Sequence, residues 1–217
     1  MSAACAADTA ETSNAQTEGA GGGEPQIIFV NFDGALISDC DEECSDAPTD
    51  RSWAISEHFG RDEMQFAPYT SSAGKTAIVA AIASAYSPYN TSVTTMRPAE
   101  GPYTMVIVSP TPGPNHGVAP LDCLNTNPND IAFVYNLGSS AHWSAPQQIA
   151  RASVHELGHS FGLEHVVAGD DFMQWASTGN AFTVSTYDYA HPSGKDCLSG
   201  DVQDAPTMLL TALGPAH

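Results

Sequence analysis

SVHELGHSFGLEHVVAGDDFMQW, residues 153–175, holds His155, His159 and His165, three of the chain's eight histidines, with Glu156 beside the first. The stretch SAPQQIARASVHELGHSFG leading into it, residues 144–162, predicts a helix. Ser144 stands as its N-cap, Pro146 falls near the first turn, and Gly162 ends it. Residues four apart on a helix lie about 40° apart around its axis, so His155 and His159 share one face and can aim two ring nitrogens at one ion. A third ligand at a useful angle requires the chain to turn. Gly162 supplies that turn, because glycine tolerates the positive φ that other residues resist. His165 then arrives three residues later.

Three histidines that leave a fourth position to water are the ligand set of a catalytic zinc. Glu156 has a different task. Its carboxylate can hang over the open position, take a proton from the activated water and return it to a leaving amine. A carboxylate near a cation stays ionised and ready to act as a base.

HELGHSFGLEH, residues 155–165, fits the pattern HExxHxxGxxH and resembles the zinc signature of the metzincin clan of metallopeptidases. The resemblance implies a zinc-dependent endopeptidase with His155, His159 and His165 as metal ligands and Glu156 as general base. The order of strand and helix candidates along the chain suggests an α+β domain, and the resemblance implies a metzincin-like form of it: a twisted mixed sheet with two main helices in an upper lobe, and a small irregular lower lobe. Metzincins carry a methionine in a tight turn beneath the zinc. Met173, eight residues after His165, stands at a spacing similar to that of matrixins, with Met208 as the fallback. Other positions depart from the named subfamilies. Val166 follows the third histidine where several families show a marker residue. Trp175 stands where astacins and serralysins have a zinc-facing tyrosine, with Tyr187 and Tyr189 as substitutes or as core residues. No PRCGxPD-type cysteine switch is present, so the subfamily stays unassigned. The alternative is a metal-bearing adhesion or binding module that does not turn over, against which the intact Glu156 argues.

Composition narrows the surroundings of this site. Of 217 residues, 25 are Asp or Glu and 6 are Lys or Arg, giving a net charge of -19. Such a charge repels phosphate backbones and anionic lipid, which argues against nucleic-acid and membrane-surface partners. No apolar run reaches the length of a membrane span. The expected partners are a protein or peptide substrate, and the expected state is a monomer. Calcium is a second candidate cation, drawn by carboxylates such as those of SDCDEECSD, residues 38–46, although an EF-hand pattern is missing.

Five cysteines are an odd number. Short spacing favours a Cys40–Cys44 bridge, and elimination leaves Cys123 with Cys197. Two bridges imply an oxidising, secreted or extracytoplasmic setting; five free thiols are the alternative. Cys5, in SAAC, is left over. It is open to three readings: a lipidated tether, a thiolate that caps a metal, or a spare thiol. MSAACAADTAETSNAQTEG has neither the basic start nor the apolar centre of a signal peptide. Residues 1–25 are expected to be a disordered tail or tether, since they hold too little apolar surface to offset ordering entropy.

Residues 26–217 are expected to form one catalytic domain, with 26–165 as upper lobe and 166–217 as lower lobe. PQIIFVNFDGALI reads as one buried strand, and DRSWAISEHFGRDEMQFA as a short helix or turn in which Trp53, Ile55 and Phe59 pack. SSAGKTAIVAAIASAYSPY reads as a helix capped by Ser71 or Ser72, with an apolar stripe of Ala77, Ile78, Ala81, Ile82 and Ala85. Its AGKT lacks the upstream glycine of a phosphate loop. SVTTMRP, YTMVIVSP and DIAFVYNL read as strands, HGVAPL as a short edge strand that could pair with substrate, and APTMLLTAL as a last helix. His142 lies either at the cleft or in a solvated loop.

Overall fold

Three apolar runs form the centre of the molecule, and each alternates its residues between two buried faces. In the computed structural model, which describes residues 23–40, 44–193, 197 and 200–217, they are β1 (Gln26–Asn31), β7 (Thr104–Val108) and β9 (Ile131–Val134). Strands covered on both faces read as near-continuous apolar runs rather than as alternating ones. Ile28, Val30, Val106, Val108, Ala132 and Val134 face one core, and Phe29, Met105, Ile107, Ile131 and Phe133 face another.

Between β1 and β7 the chain makes β2 (Ala35–Ser38), β3 (Ser45–Asp46), β4 (Arg51–Ser52), the short helix α1 (Ala54–Glu57) and β5 (Glu63–Phe66). It continues through helix α2 (Ser72–Tyr86) and β6 (Thr91–Thr94). β8 (Gly117–Val118) precedes β9, and helix α3 (Pro146–Ser160) follows it. The chain closes with β10 (Val184–Thr186), β11 (Val202–Asp204) and helix α4 (Ala205–Leu213).

The fold is α+β, built on a twisted mixed sheet in the order β6-β1-β7-β9-β8. The first four strands run parallel, and β8 is antiparallel to β9 at the edge. Helices α2 and α3 cover one face, and α4 adds buried residues to the same core. A smaller sheet in the order β3-β4-β2-β5 lies over the other. Ile78, Ile82 and Tyr86 of α2 are fully buried, each contributing about 1.5–3 kcal/mol of burial free energy. The Tyr86 hydroxyl donates to Val154 O at 2.9 Å and ties α2 to α3.

Several expectations change. PQIIFVNFDGALI is two strands rather than one: Gly34, at φ +76°, reverses the chain, and β2 leaves to pair with β4 and β5 in the small sheet. EMQF is a strand, its alternating Met64 and Phe66 buried and Glu63 and Gln65 exposed. Ile55 is fully buried, with Trp53 and Phe59 packed beside it. Ser71 caps α2, its hydroxyl accepting from Gly74 N at 3.1 Å. Ser144 does not cap α3. It lies in a single 3-10 turn, donates to Ser140 O, and leaves the extended Ala145 as N-cap before Pro146. The β10–β11 hairpin was not expected. Residues 205–217 fold back on the main core, with Ala205, Leu209 and Leu213 buried there and Pro215 bridging Tyr89.

Cys40 is bonded to Cys44, and Cys123 to Cys197. Residues 1–22 of the expected 1–25 tail, Cys5 included, lie outside the described residues, as do Asp41, Glu42 and Glu43 of the acidic cluster. Among the described residues no helix is long and apolar enough to cross a membrane.

Candidate metal centre

Helix α3 lies inside the molecule: Gln148, Ile149, Ala150 and every residue from Ala152 to Ser160 are buried. Its end is a two-bond cap. Gly162, at φ +88°, donates to His159 O at 2.9 Å, and Leu163 N donates to Gly158 O at 2.9 Å. A side chain at 162 would also be excluded by space, since a Cβ there would meet Leu124 N at 3.0 Å and Asp122 O at 3.1 Å. The chain therefore turns tightly, and His165 comes back toward the helix.

The three imidazoles meet at their Nε2 atoms. His155 and His159 are 3.1 Å apart there, His155 and His165 3.1 Å, and His159 and His165 3.2 Å. Each Nδ1 lies 2.7 Å from a backbone carbonyl: Phe172 O for His155, Leu163 O for His159 and His191 O for His165. A carbonyl only accepts, so each Nδ1 carries the proton and each Nε2 presents a lone pair. Three lone pairs facing one another repel unless a cation lies between them. Ligands about 2.0–2.1 Å from a tetrahedral zinc would be about 3.3 Å apart, close to the spacing seen here. Burial, then the neighbouring imidazoles, lowers His155 to about 3 and His159 well below its ordinary value; burial also lowers His165. The neutral form is the one a metal needs. Among the described residues this is the one group of three or more His, Cys, Asp or Glu side chains gathered closely enough to share an ion.

Glu156 lines the same cleft, a cavity of about 620 Å³ that also takes in His58, Asn115, His116, Trp143, Trp175 and Ser177. Its carboxyl is pushed up to about 8 by burial, and no described donor lies within hydrogen-bonding range of it. Edge strand β8 passes directly over it, so a Cβ on Gly117 would stand 2.1 Å from Glu156 Oε1. The expected edge strand thus borders the site, and its glycine is what makes room for the carboxylate.

Met173 is fully buried beneath α3, its Sδ filling the space where a Cβ on Gly158 would be. Asp171 builds the turn that carries it. Its Oδ1 accepts from Met173 N at 2.8 Å, and its Oδ2 accepts from Thr183 N at 2.7 Å. Met208 packs at the margin of the core on α4.

No protein-family model matches the chain, and no curated protein matches it. The centre is therefore characterised by its own geometry. Trp175 does not point a ligand at the triad; half-exposed, it stacks on His191 with ring centroids 4.3 Å apart. Tyr187 is buried, and the Tyr189 hydroxyl donates to Asp201 at 3.2 Å. His142 is exposed and stands edge-on to Trp143, which is the residue that lines the cleft and which stacks on His116 at 3.8 Å. Sequence reasoning passed over Gly117, Asp171, and the polar set of His58, Asn115 and Tyr135, in which His58 Nε2 lies 2.6 Å from the Tyr135 hydroxyl. Asp171 had a readable signal: an aspartate that accepts from the amide two residues on is a common turn-maker.

Proposed function

We propose that the protein is a zinc-dependent endopeptidase of metzincin type, in which His155, His159 and His165 hold the metal and Glu156 moves the proton. The observation that carries this reading is the convergence of three Nε2 lone pairs, each fixed by a carbonyl on its Nδ1. When bound, the zinc would polarise the scissile carbonyl and lower the pKa of a water toward neutrality. The rest belongs to the chain. A peptide lies extended along β8, whose outer backbone groups can pair with it as an added strand. Glu156 faces the cleft with no partner among the described residues, and there it takes a proton from the attacking water and hands it to the departing amine. Burial raises its affinity for that proton, and a nearby cation lowers it, so the two influences hold the carboxyl near the range where it can both accept and donate. The two disulfides and the absence of a membrane-spanning helix among the described residues fit an extracellular protein.

The test is cleavage of a quenched-fluorescent peptide library by the purified chain, with and without a zinc chelator. Expected are cleavage at internal bonds, its loss on chelation and its return with zinc. Zinc bound without cleavage favours the silent binding module; failure to bind zinc overturns both readings.

A further inference from the structure

His155 and His159 are held by a buried helix, but His165 lies beyond it in irregular chain and is only partly buried. His165 has bonds of its own, its N donating to Ser193 Oγ at 3.0 Å, its O accepting from Asp188 N at 2.9 Å and its Nδ1 facing His191 O at 2.7 Å. A second set of restraints runs through its neighbour. Glu164 is buried, and both of its peptide groups are taken by the side chain of Gln203: Glu164 N donates to Gln203 Oε1 at 2.8 Å, and Gln203 Nε2 donates to Glu164 O at 2.9 Å. A single side-chain amide thus satisfies both groups as one neighbouring strand residue would. Gln203 is fully buried on β11. The Glu164 carboxylate in turn accepts from Cys197 N at 2.9 Å. Cys197 is bonded to Cys123, whose loop lies against Gly162 and caps α3, with Asp122 N donating to His159 O at 3.1 Å. The ring closes: helix end, Cys123 loop, disulfide, Cys197, Glu164, then His165.

We propose that Glu164, gripped by Gln203 and by the Cys197 end of the disulfide, is the positioning residue that keeps His165 aimed at the point where His155 and His159 converge. The proposal rests on the metal-binding reading above. Without the grip, the first two ligands stay in place and the third keeps only its bonds to Ser193, Asp188 and His191, so the ion must supply part of its ordering, which lowers affinity. Outer partners of metal ligands are typically worth 10–100-fold in affinity.

The experiment is a competition titration of zinc against a chromophoric chelator on the full chain. It compares wild type with Glu164→Ala, Glu164→Gln, Gln203→Ala and the double variant Cys123→Ser/Cys197→Ser. Melting of the metal-free proteins and the visible spectrum of the cobalt-loaded proteins accompany it. Glu164→Ala, Gln203→Ala and the double variant are expected to weaken binding by about 10–100-fold and to alter the cobalt spectrum. Glu164→Gln is expected to bind as wild type does, because its amide oxygen still accepts from Cys197 N. A lowered melting point with unchanged affinity and spectrum would show a role in folding alone and overturn the proposal. So would equal weakening in Glu164→Ala and Glu164→Gln. If either alanine variant does not fold, the double variant decides. Wild-type protein that binds no zinc overturns the metal reading, and this proposal with it; wild-type binding with unaffected variants overturns this proposal alone.

Discussion

Gly117→Ala is a small change with a large expected effect. The added methyl would stand 2.1 Å from Glu156 Oε1, 2.6 Å from its Cδ and 2.9 Å from its Cγ, where Cβ contacts are essentially never under 3.0 Å. Glu156 must therefore withdraw by about 1 Å or swing its carboxylate to another rotamer. Either movement is cheap for folding, because the clash falls on the free end of a flexible side chain. It is not cheap for catalysis, since a displacement of about 1 Å at a reacting group can cost about 100-fold in rate. The expected result is a fall in kcat of about that size, with zinc content and melting temperature unchanged because no ligand is touched. Gly169→Ala is the matched control, as nothing lies within 4 Å of a Cβ there. Peptide cleavage under saturating substrate gives kcat, and metal analysis gives occupancy. If Gly117→Ala retains kcat within threefold of wild type, Glu156 is not the proton carrier or its position does not matter, and the reasoning fails.

Glu156→Ala is expected to keep metal and fold and to lose about 10²–10⁴ of the rate, the usual worth of a general base, as measured on the same peptide. Asp130 gives a pH-dependent outcome. Burial, and then the charge of Asp122, pushes its carboxyl up to about 8. Folding therefore favours the protonated acid, and the wild type loses stability as pH rises from about 4 to about 8. Asp130→Asn removes that slope and should be more stable by a few kcal/mol at pH 8 but not at pH 4 in denaturant titrations, on the order of 1.4 kcal/mol for each pH step of one between those limits. Equal pH slopes in the two proteins would show that Asp130 is ionised in the fold. Phe161→Ala removes a buried ring packed edge-on against Tyr86 and should cost about 3–5 kcal/mol by the same titrations.

The three clustered histidines were legible because their spacing obeys one helix and one glycine. Residues 155–165 are contiguous, and local geometry alone carries His155, His159 and the turn at Gly162. The central strands were legible for a similar reason: runs such as TMVIV and IAFV suit few structures other than a strand covered on both faces. What escaped depends on distant partners. The break after Asn31 reflects pairing of β2 with β4 and β5, which no local pattern in NFDGALI announces. EMQF is only four residues long and sits among charges, so its alternation is weak until the small sheet covers it. Ser144 had the chemistry of a cap, but the 3-10 turn before α3 drew its hydroxyl to Ser140 instead. Gly117 and Gln203 matter only through residues about 40 positions away in sequence, the side chain of Glu156 and the backbone of Glu164, and pairings of that range are set by the tertiary fold.

The three Nδ1 hydrogen bonds have a thermodynamic consequence beyond orientation. Two of the carbonyls that receive them, Phe172 O and His191 O, belong to the segment after the third histidine rather than to the helix. An ion that orders the imidazoles would therefore also restrain the chain at Phe172 and His191, and linkage is reciprocal. At a free concentration 1,000 times Kd, such an ion stabilises whatever it is coupled to by about 4.1 kcal/mol. The wall of the cleft and the occupancy of its centre form one equilibrium. Loss of the ion would show first as faster amide exchange and easier proteolytic nicking between residues 166 and 193, while the parallel sheet stayed closed.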